Sequence, residues 1–253
     1  MMTFGGRFRV GLRAPSRPWY KLFWWDACSF LCLVWLKIFH RMISVGFERI
    51  PEEGPVIFVS NHQSYYDPLI NGCAVNRRQY SAIASSHLAR FKPLGWLLRS
   101  YGTVFVAASA GDKGPLKAAL SELGQGSCVL IYPEGSRCET GFVENFEKGI
   151  LLLLKRSGAI VYPIGIEGAY DVWPRSRVLP RLWGRGRIAT VCGEPIDGAA
   201  LFEEGPQIAL ERLHQEIDTL RLEARRILRE RSGGKWPPAG PLDGPSPELQ
   251  TRS

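Results

Sequence analysis

Between residues 46 and 192 the chain alternates short apolar runs with longer stretches whose apolar residues recur at helical spacing. The runs at 56–59, 80–84, 103–106, 128–132, 160–166 and 188–192 read as strands, and 68–75, 88–101, 115–123 and 146–156 read as helices between them. Such alternation predicts an α/β fold, a single domain with a largely parallel or mixed sheet flanked by helices. In such sheets ligands gather at the carboxyl ends of the strands. Further on, residues 207–230 place Ile208, Leu210, Leu213, Ile217, Leu220, Leu222, Ala224 and Ile227 among many Arg and Glu. That spacing predicts an amphipathic helix packed on the domain, whose last turn, with Arg225, Arg226 and Arg229, can also touch lipid headgroups.

The ends of the chain follow other patterns. Residues 1–18 are basic, rich in Gly and Pro, and read as a flexible arm. Residues 19–42 form a membrane-associating helical segment. Tryptophans stand near both of its ends and Lys21 and Lys37 flank it, but Asp26 interrupts the apolar run and leaves it short for a bilayer span. A marginal transmembrane helix or a helix sunk in one leaflet both fit it. The α/β domain is expected over 43–231, and residues 232–253, laden with Pro, Gly and Ser, read as a disordered tail.

Charge narrows the partners. A formal net charge of +8 comes with scattered Lys and Arg and no nucleic-acid-binding signature, so no nucleic acid is expected as a partner. Arg7, Arg9, Arg13, Arg17 and Lys21 precede the aromatic segment, the arrangement suited to anionic membrane lipid. The six cysteines lack a Cys-x-x-Cys pair and read as reduced, and the four histidines lack metal-ligand spacing, so no metal is expected. No Gly-x-Ser-x-Gly elbow of a serine hydrolase is present.

The chemistry concentrates after two of the strands. Asn61-His62-Gln63-Ser64-Tyr65-Tyr66-Asp67 follows the first, and Asp67 precedes Pro68, so a helix capped by Asp67 is expected. A turn in this loop can bring the Asp67 carboxylate to one nitrogen of His62 and leave the other free to take a proton. Alone, the pair is equally an N-cap and a polar loop residue. After the strand at 128–132 stands Pro133-Glu134-Gly135-Ser136-Arg137, where Gly135 permits close backbone approach, Arg137 offers a fork suited to phosphate, and Glu134 can accept a hydroxyl hydrogen bond. Alone, this is an exposed turn.

Together, Asn-His-x-x-x-x-Asp and the later Pro-Glu-Gly-Ser-Arg resemble the 1-acyl-glycerol-3-phosphate acyltransferase family of glycerolipid acyltransferases over roughly residues 43–194. The blocks from Leu88 to Val106 and from Val161 to Gly168 resemble its second and fourth motifs. The resemblance implies transfer of a fatty acyl group from acyl-CoA or acyl carrier protein, as co-substrate rather than cofactor, to 1-acyl-glycerol 3-phosphate, giving phosphatidic acid. It implies His62 as base, Asp67 as its support, and Glu134, Gly135, Ser136 and Arg137, with Asn61, as substrate-binding residues. It also implies a membrane-associated enzyme whose active site faces the cytoplasm. One departure stands out. The family's second motif carries an arginine shortly after its glycine, whereas here Gly102 is followed by Thr103-Val104-Phe105-Val106-Ala107-Ala108-Ser109. Lys113 is the expected substitute for that phosphate contact. Glycerol 3-phosphate or another lysolipid as acceptor, and a catalytically silent membrane-binding relative, are the alternatives.

Overall fold

A computed structural model describes residues 18–75, 78–85, 92–100, 102–106, 114–177, 179–181, 187–203 and 205–247. In chain order the elements are α1 (Trp19–His40), β1 (Ile43–Val45), β2 (Val56–Ser60), α2 (Asp67–Ala74), β3 (Tyr80–Ser85), α3 (Lys92–Ser100), β4 (Val104–Val106), α4 (Gly114–Gly124), β5 (Cys128–Ile131), α5 (Gly149–Ser157), β6 (Ile160–Glu167), α6 (Ala169–Val172), β7 (Ala189–Cys192), β8 (Ile196–Asp197) and α7 (Pro206–Ser232). The strands form one mixed sheet in the order β1-β7-β6-β2-β5-β3-β4, with β8 added to β6. β6, β2, β5, β3 and β4 run parallel, and β7 and β8 pair antiparallel with β6. The predicted fold is therefore the observed one. Short β1 and β8 and the single turn of α6 were not legible, because two to four residues are too few for periodicity to show.

β2 explains why its sequence is a continuous apolar run rather than an alternating one. Val56 and Phe58 pack into a core shared with α1 and α2, while Ile57 and Val59 face a second core against α4, α5 and α7. Both faces of the strand are covered, so every residue of it is buried. On the second face α7 crosses β6 at contact distance. A Cβ on Gly165 would lie 2.3 Å from the backbone of Leu220 and Arg221, so only glycine admits the helix there.

α7 presents Ala209, Leu213, Ile217, Leu220, Ala224 and Leu228 to the domain. Its polar residues depart from expectation. Arg221, fully buried, is held by Asp218 at 2.7 Å and donates to the carbonyls of Leu242 and Gly244, both at 2.9 Å. Arg225 binds Glu167, Asp243 and the Pro238 carbonyl, and Arg229 binds Asp243. Arg225 and Arg229 are thus spent inside the molecule rather than offered to lipid.

The partners of these arginines lie in the segment read as a disordered tail, and that reading is corrected through residue 247. The chain turns at Gly233, doubles back along α7, and buries Ser246, whose N–H and hydroxyl both donate to Asp218 at 2.7 and 2.9 Å. Composition suggested disorder because Pro and Gly promote no regular element. The order comes from charge-assisted hydrogen bonds to buried arginines.

Helix α1 is long and apolar enough to cross a membrane by length and composition, although Asp26 had suggested otherwise. It lies against the domain by one side, through Leu22, Trp25, Leu36 and His40, and leaves Trp19, Tyr20, Phe23, Phe30, Leu31 and Ile38 exposed. Trp24 donates to the Ser100 hydroxyl at 3.0 Å and meets Trp96 edge to face, and Trp96 is itself 63% exposed. The exposed apolar surface therefore continues from α1 onto α3.

Candidate active site

Adjacent parallel strands carry the two motifs. Val59 of β2 is in register with Ile131 of β5, and His62 and Glu134 each stand three residues further on, at the same rim of the sheet. The equal offset brings backbone to side chain. The His62 N–H donates to Glu134 Oε1 at 2.8 Å, and the N–H of Cys138 donates to the His62 carbonyl at 2.8 Å.

The loop after His62 folds back as the spacing predicted. His62 Nδ1 lies 2.8 Å from Asp67 Oδ2, which also accepts the Ser64 N–H at 2.6 Å. A carboxylate oxygen can only accept, so this pairing selects the neutral tautomer with its proton on Nδ1 and its lone pair on Nε2. Asp67 is fully buried. Burial raises its pKa above the ordinary aspartate value, against the downward pull of the His62 hydrogen bond and charge and of the Ser64 and Gln63 N–H groups. One expectation fails here. Asp67 is the first residue of α2 and not its N-cap, because its carboxylate is turned back to the loop. Pro68 does occupy the first turn. The imidazole stacks on Tyr132 with ring centroids 4.0 Å apart and an interplanar angle of 17°, and its side chain stays 18% exposed.

The remaining predicted site residues divide between framework and surface. Asn61 is fully buried. Its amide donates to the Ile166 carbonyl at 2.9 Å and accepts the Ile166 N–H at 2.7 Å, so it locks the loop to β6 and is not available to substrate. Glu134 is likewise internal. Its second oxygen accepts the Glu144 N–H at 3.4 Å, and burial pushes its carboxyl well above the ordinary glutamate value. Gly135 sits at φ 72°, where a Cβ would press within 3.2 Å of Glu147. Ser136 is exposed, and Arg137 lies with its guanidinium 3.4 Å over the centre of the Tyr65 ring. Burial lowers the Arg137 pKa, and its buried Nη1 has no hydrogen-bond partner among the described residues. Lys113 lies outside the described residues.

Several residues reach the site that sequence reasoning missed. Tyr65 and Tyr132 support Arg137 and His62 from below, and Trp173 packs against Tyr65 with centroids 5.0 Å apart. Arg175 arrives beside them from the turn after α6, donating to Ser136 Oγ at 3.4 Å and to the Arg137 carbonyl at 3.3 Å. Gln63 donates to the Gly141 carbonyl at 2.8 Å and to Glu167 at 3.3 Å, tying the histidine loop to the buried ions of α7. Only the aromatic residues within the motifs carried any signal in sequence. Arg175 stands far from both motifs along the chain.

Beside α2 an apolar cavity is lined by Trp25, Leu69, Gly72, Cys73, Tyr80 and Leu98, with Pro68, the neighbour of Asp67, on its wall.

Residues 41–167 match the family described as Acyltransferase, a span that holds both motifs and every strand of the parallel core. The chain belongs to that family. It is 25% identical over 177 residues to a chloroplastic 1-acyl-sn-glycerol-3-phosphate acyltransferase of Arabidopsis thaliana, covering 67% of this chain and 49% of that protein. It is 27% identical over 218 residues to a 1-acyl-sn-glycerol-3-phosphate acyltransferase of Pseudomonas aeruginosa, covering 81% and 77%. The crystal structure of the 1-acyl-sn-glycerophosphate acyltransferase PlsC from Thermotoga maritima superposes with a TM-score of 0.63 at 26% identity over 78% of each chain. This chain spans about half the length of the chloroplast relatives it matches.

Proposed function

We propose that this protein transfers a fatty acyl group from a thioester of coenzyme A or acyl carrier protein to the free hydroxyl of 1-acyl-glycerol 3-phosphate, forming phosphatidic acid at a membrane surface. The observation that carries the reading is the His62–Asp67 pair, whose geometry leaves Nε2 as a base on the same rim as Arg137. Nε2 takes the hydroxyl proton as the oxygen attacks the thioester carbonyl. The tetrahedral intermediate collapses, the C–S bond breaks, and the departing thiolate takes the proton back from the imidazolium. General-base assistance supplies about 10²–10⁴-fold, and positioning of two amphiphilic substrates much of the rest.

The exposed aromatic surface of α1 and α3 supports attachment to one leaflet. Burying one side of α1 against the domain while the other side stays apolar suits a helix lying in the interface rather than one surrounded by lipid. In this reading the site works on the cytoplasmic side, where the thioester donors are.

A second reading keeps the chemistry and changes the acceptor to a lysolipid without a phosphate monoester. It is favoured by the stretch after Gly102, which holds no arginine. Transfer of radiolabelled acyl groups by the purified protein tests both. Lysophosphatidic acid, glycerol 3-phosphate, a lysolipid with a substituted phosphate and one with none should be offered in turn. Preference for lysophosphatidic acid supports the first reading, and transfer only to the lysolipids with a substituted phosphate or none replaces it with the second.

A further inference from the structure

We propose that Arg175 is the second cation of the acceptor's phosphate site, standing against the turn after β5 that carries Arg137. This inference rests on the acyl-transfer reading of the site and adds to it a residue outside both motifs.

Three observations meet here. Arg175 Nη1 donates to Ser136 Oγ and to the Arg137 carbonyl at 3.4 and 3.3 Å, so its guanidinium is fixed on the turn that carries Arg137. Arg175 stands near enough for its charge to help lower the Arg137 pKa, behind burial as the larger cause. Two arginines held together repel, and a dianion between them relieves that repulsion with charge-assisted, bidentate hydrogen bonds. Arg137 Nη1 is buried with no hydrogen-bond partner among the described residues, an unsatisfied donor that an anion reaching it would satisfy. Arg175 keeps 47% of its side chain exposed, with further donors open to solvent.

One carboxylate competes. Glu139 lies 3.5 Å from Arg175 Nη1 and is itself largely exposed, a weak surface pair that a phosphate can displace. The aromatic floor of Tyr65 and Trp173 restricts the Arg137 plane and leaves the opposite side to the ligand.

Isothermal titration of the full chain with sn-glycerol 3-phosphate tests the clamp without depending on turnover. Arg175→Ala should weaken binding by about tenfold or more, the scale of one lost charge-assisted contact, and Arg175→Lys by less. Glu139→Gln should tighten binding about twofold or more by removing the competitor while leaving Arg175 in place. In the transfer assay, the preference of Arg175→Ala for lysophosphatidic acid over 1-acylglycerol should fall about tenfold, chiefly through KM. Unchanged affinity in Arg175→Ala, weaker binding in Glu139→Gln, or no binding by the wild type overturns the proposal, since the first removes Arg175 from the site and the second makes it a brace of the turn. If the wild type acylates only phosphate-free lysolipids while Arg175→Ala still loses glycerol 3-phosphate, the acceptor reading falls and the anion site stands.

Discussion

Glu134 accepts the backbone N–H of His62 at 2.8 Å, so the glutamate of one motif holds the main chain of the other. The two loops are a single unit. Asn61 fastens that unit to β6 and Gln63 fastens it to Glu167, so neither side chain is available to the substrate proposed to meet His62 and Arg137.

His62→Ala should lower kcat for acyl transfer by on the order of 10²-fold or more, with little change in melting temperature, because the ring lies partly exposed on Tyr132. Asp67→Asn should also lose on the order of 10²-fold or more, since an amide NH2 turned to Nδ1 draws the proton to Nε2. Steady-state kinetics with thermal melts on each purified variant decides it. Turnover above about a tenth of wild type in His62→Ala would remove the base assignment.

Glu134 should make stability depend on pH. Burial holds its carboxyl well above its usual 4.5, so the native state keeps a proton that the unfolded chain releases. Its contribution to stability is then largest at acid pH and declines as pH rises from about 4.5 toward the folded value, by at most about 1.4 kcal/mol per unit. Glu134→Gln lacks that proton. Urea denaturation of both proteins from about pH 4 to 8 should show the wild type losing ground to the variant as pH rises. A difference that stays constant with pH would mean that Glu134 is ionised throughout.

Asp243 should act with the opposite sign. Burial alone would raise it, but hydrogen bonds from Arg225, Gly240 and Arg229 hold its carboxyl below the ordinary aspartate value. Its contribution is present above the usual value of 3.8 and is lost as pH falls through the lower folded value. Asp243→Asn should therefore melt lower than wild type at neutral pH, with the gap closing in acid. Removing residues 235–253 should cost more, about 3–5 kcal/mol, because Arg221 loses the Leu242 and Gly244 carbonyls and Arg225 loses Asp243, all charge-assisted contacts. A truncated protein as stable as the full chain would show that the segment does not hold α7.

Gly72 lines the apolar cavity, with the Tyr80 hydroxyl 3.4 Å and Trp25 3.7 Å from where a Cβ would sit. If the donor's acyl chain enters there, Gly72→Leu shortens the space it finds. Comparing kcat/KM for octanoyl, dodecanoyl and hexadecanoyl donors should show preference moving toward the shorter chains. An unchanged order of donors places the acyl chain elsewhere.

Attachment through α1 should be hydrophobic. Membranes carrying the full chain should retain it through a high-salt wash and release it only to detergent, since salt screens headgroup contacts but not buried aromatic surface. Release by salt alone would make the attachment electrostatic.

The sequence by itself determined the architecture and the pairing of His62 with Asp67. Runs such as 56–59 and 128–132 are apolar throughout because both faces of a central strand are covered, and that pattern survives in one dimension. His62 and Asp67 are five residues apart, so a local turn suffices to join them. What the tertiary structure decided depends on strand register and on residues distant in sequence. Parallel pairing of Val59 with Ile131 turned Glu134 from a presumed ligand into the brace of His62, and Ile166, 105 residues away, claimed both ends of the Asn61 amide. Buried arginines on α7 drew a Pro- and Gly-rich segment into order, and the turn after α6 carried Arg175 to Ser136. Local spacing records contacts made within a turn or a strand. A hydrogen bond across the sheet is set by how the chain packs, and no short stretch of sequence carries it.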